Sequence, residues 1–140
     1  DSLSPLPFRL RGIGVNHLQE PIRRTQGYPL YQWIQIRRGE AWVETAGGIA
    51  HARVGDGIFL CPQEYHAYHD GGGQGTLLVD WMNFDGSGVG LALASGPLEA
   101  SGVYRLARGA CLAWYLDCLW SWPNQRRRLV RPRSRQISIA

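Results

Sequence analysis

A chain of 140 residues is the length of one domain, and 44% hydrophobic with 19% charged residues is ordinary for a globular protein. No apolar run nears the roughly 18 residues of a bilayer span, and the opening DSLSPLPFRL has no signal-peptide core, so a cytoplasmic protein is expected. The formal charge of +4 resides in the tail: all fifteen basic residues are arginine, and only nine precede Asn124, against eleven acids, which excludes polyanion binding by the body.

Residues 1–7 (DSLSPLP) read as an arm, since two prolines and two serines leave little to pair in a sheet. Short extended segments follow: FRLRGIGV, YPLYQWIQI, EAWVET, AHARV, GIFLC, HAYH and TLLVDWMNF. Their spacers hold the glycines, at Gly39, Gly47-Gly48, Gly55-Asp56-Gly57 and Gly71-Gly72-Gly73. Short strands broken by regular turn signals predict a sandwich or barrel, most firmly over Gly27–Gly86, and argue against βαβ units. Val89–Ala94 suits one or two helical turns, and Gly102–Leu106 a last strand. Residues 107–123 read as a helix ended by Pro123, with Leu112, Tyr115, Leu119 and Trp122 on one apolar stripe. That stripe suits either packing on its own barrel or a partner helix in a dimer. Three regions result: arm and barrel over 1–106, helix over 107–123, and a basic, loosely ordered tail over 124–140.

Catalytic signals are absent. Cys61, Cys111 and Cys118 form an odd set without CxxC or Cys/His ligand spacing, which fits a reducing compartment. Cys111 and Cys118 share a helical face as two small hydrophobes. Ser87, Ser95 and Ser101 lack a G-x-S-x-G context, Asp80 and Asp85 have no acid–base spacing, and Gly86–Gly90 lacks the lysine of a phosphate loop.

The densest motif is Gly55-Asp56-Gly57-Ile58-Phe59-Leu60-Cys61-Pro62-Gln63-Glu64-Tyr65-His66. Gly-Asp makes a tight turn, Ile58–Leu60 a buried strand, and Pro62 ends the ladder so that His66 arrives on the next strand near the interior. It resembles the second cupin motif, G-D-x-x-x-x-P-P-G-x-x-H, with Cys61 for the first proline and Gln63 for the glycine. The first cupin motif would end at Gly39, but Gln26, Tyr28 and Gln32 occupy its metal-ligand positions. His66 alone does not make a centre, so no metal is expected. Tyr31–Gly39 resembles a Y-x-L-x-x-x-x-x-G strand and Asp80–Gly86 a W-x-x-F-x-G strand end. In this order, over residues 10–122, they resemble the N-terminal effector-binding and dimerisation domain of AraC-type transcription regulators, a bacterial family.

The resemblance implies a mainly β fold: a cupin-like jelly-roll barrel with an arm over its mouth, followed by α-helix used for pairing. It implies a ligand held by Arg24, Tyr68 and Trp81. His66 shares a strand face with Tyr68, and Val79 shares one with Trp81. Val79 stands where sugar-binding members have a pocket histidine, so the resemblance does not carry a sugar with it. Arginine supplies a donor fork, Tyr68 and His66 reversible hydrogen bonds, and tryptophan a stacking surface. Each has a plainer reading: Arg24 as a solvated turn residue, Tyr68 as outward, Trp81 as core, His66 as structural.

A full regulator carries roughly 100 further residues with two helix-turn-helix motifs. The eighteen residues after Trp122 leave no room for them. The expectation is therefore a sensing domain, non-catalytic and without a cofactor, that pairs with a second copy and reaches DNA only through a domain outside this sequence. Its effector would be a sugar or a small organic acid. The competing readings are a small metal-dependent cupin isomerase or dioxygenase and a stand-alone carbohydrate-binding module.

Overall fold

Glycines in left-handed conformations cut the chain into short strands. The computed structural model describes residues 7–94, 96, 98 and 100–105. Among these, the chain forms β1 (Arg9–Leu18), β2 (Ile22–Arg24), β3 (Tyr31–Arg38), β4 (Glu40–Thr45), β5 (Gly48–Arg53), β6 (Asp56–Leu60), β7 (His66–Asp70), β8 (Leu78–Asp85), α1 (Val89–Ala94) and β9 (Gly102–Arg105). Gly39 (φ +83°), Gly48 (φ +122°) and Gly55 (φ +96°) make the turns from β3 to β6, where a side chain would be strained. Asp56 of the Gly-Asp pair is buried. It accepts the Arg53 N–H at 3.0 Å and pairs with Arg105 Nε at 3.1 Å, tying β9 to the β5–β6 corner.

The strands form two antiparallel sheets, ordered β1-β8-β3-β6-β9 and β2-β7-β4-β5. Alternation of side chains sorts each strand into two faces. Inward-facing Ile34, Ile36, Ile58, Leu60 and Val79 meet Ala41, Val43, Ala52 and Tyr68 of the other sheet in one core. Residues of opposite parity, Trp33, Phe59, Met82 and Phe84, form a second cluster with Leu10, Val89 and Leu98, so α1 helps to cover the outer face of the larger sheet. Burial on both faces explains the near-continuous apolar run of β6. It also explains Gly57, where any Cβ would overlap the Trp33 ring.

This is the mainly β sandwich that the turn pattern predicts and the cupin-like fold that the resemblance implies, with two differences in detail. The strand expected over FRLRGIGV is present as β1, which runs three residues beyond Val15. β2 was not anticipated: it is three residues long, follows Pro21 and contains two arginines, so neither length nor composition marks it. The predicted helix over 107–123 with its stripe, the basic tail and arm residues 1–6 lie outside the described residues. Among the described residues, no helix is long and apolar enough to cross a membrane.

Candidate functional site

The inner faces of the sheets turn polar toward the edges carried by β1 and β2, and there a cavity of about 250 Å3 opens. Ile22 and Arg24 of β2 form one wall, with Tyr68 of β7 beside them. Gln32 and Ile34 of β3 and Trp81 and Asn83 of β8 form the opposite wall. His17 and Gln19 at the end of β1, with Tyr28 before β3, complete the lining.

Register brings the two short strands together. In the β2–β7 pairing Ile22 lies opposite Tyr68 and Arg24 opposite His66, so all four side chains face inward. Arg24 Nη1 donates to Gln32 Oε1 at 3.1 Å and to His66 Nε2 at 3.1 Å. Its guanidinium also lies 4.8 Å from the centre of the Tyr28 ring, a cation–π distance. Gln32 passes the network on, donating from Nε2 to Asn83 Oδ1 at 2.9 Å.

Because arginine can only donate, Nε2 of His66 must accept, which fixes a neutral ring with its proton on Nδ1. Burial lowers the His66 pKa from its ordinary value, and the Arg24 charge lowers it further. Nδ1 is buried without a hydrogen-bond partner of good geometry among the described residues, and the neighbouring Glu64 backbone offsets the shift only in part. The His66 ring stacks on Tyr68 at 6.0 Å. Burial pushes the Tyr68 phenol up, with Arg24 opposing it, so the hydroxyl stays protonated at neutral pH.

Trp81 owes its position to glycines. On β1, Gly14 lies opposite Trp81, and a Cβ there would overlap the indole Nε1. Gly12 gives the far edge of the same ring its room, with a would-be Cβ at 3.3 Å from Cζ3. Beyond Gly14 the register slips, so that Val15 and Asn16 stand against Asp80, and His17 then pairs with Val79. Asn16 adopts φ +52° in this bulge, and buried Asp80 accepts its N–H on Oδ1 at 2.7 Å. The bulge turns His17 into the cavity wall.

Of the residues singled out in the sequence, Arg24, Tyr68 and Trp81 meet in this cavity. His66 sits behind Arg24, buried and bonded to it, rather than in the wall. Val79 shares the inward face with Trp81 but packs fully into the apolar core and does not line the cavity. Sequence reasoning did not select His17, Gln19, Ile22, Ile34 or Asn83, and it weighed Tyr28 and Gln32 only as metal ligands. One signal was available for Gln32: a glutamine in phase with Ile34 and Ile36 is a polar group on a core face. His17 had none, because the bulge breaks the alternation. Among the described residues, no three His, Cys, Asp or Glu side chains converge as a metal requires.

The family model described as AraC-like ligand binding domain matches residues 15–127. No curated protein matches the chain.

Proposed function

The chain belongs to the AraC-like ligand binding domain family, and we propose that the cavity between β2, β3, β7 and β8 is where it senses a small-molecule effector. The observation that carries this reading is the convergence of Arg24, Tyr68 and Trp81 from three separate strands on one half-open, part-polar space. A volume of about 250 Å3 suits a single-ring metabolite rather than a drug-sized ligand. The site binds and releases its ligand without reaction, in keeping with a ligand-binding family.

The output is transcriptional, through a helix-turn-helix domain that acts on DNA in the cytoplasm, and the device is allosteric. Arg24 rides on a three-residue edge strand and His17 follows a bulge, so a ligand gripping both favours one arrangement of β1 and β2. The chain leading into β1 is held where α1 begins, with the Pro7 carbonyl accepting the Gly88 N–H at 3.0 Å. A change in β1 can therefore reach the arm and the segments after α1. The apolar stripe Leu112, Tyr115, Leu119 and Trp122 is the proposed pairing surface. Leu119→Glu is expected to leave a monomer by light scattering, and an unchanged mass would refute that role.

A thermal-shift panel of sugars, sugar acids and small aromatic acids tests the sensing role. A ligand at about 100 times its Kd adds roughly 2.7 kcal/mol of stability, which is several degrees for a domain of this size. If no member of the panel raises Tm, the effector reading is wrong.

A further inference from the structure

The cavity has a one-sided charge. Among the described residues, Arg24 is the permanently charged group in its wall, and no Asp or Glu lines it. Arg9, Arg11, Arg23, Arg37 and Arg105 each have a carboxylate within 4.0 Å. The groups around Arg24 are instead Gln32, His66, the Tyr28 ring and the protonated Tyr68 hydroxyl, none of them anionic. Nη1 meets Gln32 and His66 and the guanidinium also reaches the Tyr68 hydroxyl, which leaves part of its five-donor fork for a ligand beside Tyr68.

We propose that the effector is a small monocarboxylate with a flat apolar body, its carboxylate on Arg24 and its body against Trp81. This rests on the cavity being the effector site. A planar carboxylate matches the guanidinium fork and supplies the charge that none of the described side chains provides. One cation suits one negative charge, since a second would be desolvated without a partner. The remaining wall is mixed: His17, Gln19, Tyr28, Tyr68 and Asn83 bring polar groups, but a neutral polyol would leave the Arg24 charge unmatched. Gln32 is already engaged at both ends of its amide, by Arg24 and Asn83. Ile22, Ile34 and the indole face would meet hydroxyls with no partners to offer. A flat ring, by contrast, is what the indole face accepts.

Calorimetric titration of the whole chain compares benzoate, 2-hydroxybenzoate and cinnamate with their amides, alongside L-arabinose and inorganic phosphate. At least one acid is expected to bind, with its isosteric amide weaker by roughly thirtyfold or more. Arg24→Met is expected to abolish the acid–amide difference, and Arg23→Met, on the outward face, to keep it. Should Arg24→Met lose its fold by circular dichroism, the acid–amide comparison on the unaltered protein still decides. An amide or arabinose binding as tightly as the acids overturns the carboxylate while leaving the effector site standing. Phosphate binding as tightly overturns the single charge and the flat body. If neither acids, amides, sugar nor phosphate bind, the inference and the effector reading fall together.

Discussion

His66 shows how a single residue can be fixed by its neighbours. Burial and the adjacent guanidinium both disfavour its charged form, so it works as a neutral acceptor that holds Arg24 in place. The consequence for stability has a definite sign. In the unfolded chain the ring takes up a proton near its ordinary value of 6.5, whereas in the fold it resists protonation to lower pH. The unfolded state thus binds more protons below about 6.5, and stability falls as pH drops through that window. Thermal melts at pH 7.5 and 5.5 are expected to show this loss. In His66→Gln, which keeps an acceptor for Arg24 but does not titrate, the loss should be smaller, and an identical loss would clear His66 of the effect. Asp85, held down by Arg9 and Arg11, and Asp70, held down by backbone N–H groups led by Thr76, lose their contributions only in more acid solution, below their ordinary 3.8. His66 was legible in the sequence because Pro62 and a strand start position it. Its role was not, since its partner Arg24 lies 42 residues away on a strand too short to recognise.

At the scale of elements, the least regular strand matters most to the site. β1 gives Trp81 its slot through Gly12 and Gly14, then turns His17 inward through a bulge closed by Asp80. Asp80 is buried on β8, and its second oxygen lies 3.3 Å from Arg37 Nε. Asp80→Ala removes a charge-assisted hydrogen bond to the Asn16 N–H and the Arg37 ion pair, so a loss of about 1–3 kcal/mol is expected in urea denaturation. Faster amide exchange should be concentrated in residues 14–18, and exchange raised evenly across the sandwich would contradict the local role. Strands dense in β-branched and aromatic residues, such as β3 and β8, were legible. The β1 bulge was not, because an inserted residue leaves no mark on composition. Gln63 is a related case: it stands at the cupin glycine position and takes φ +61°, so the motif's backbone survives without its usual residue.

For the molecule as a whole, the two sheets separate duties. The larger sheet is buried on both faces, and the smaller one contributes β2 and β7, whose paired residues include Arg24, His66 and Tyr68. The sandwich thereby presents a site built partly on a three-residue edge strand, the element we propose a ligand biases. The most direct measurement is a calorimetric titration of the best ligand from the panel into the unaltered chain and into Trp81→Ala. Trp81 is only partly buried, so the variant is expected to melt cooperatively while its affinity drops roughly tenfold or more through loss of the stacking wall. Unchanged affinity in a folded Trp81→Ala protein would contradict the assignment of this cavity as the sensing site.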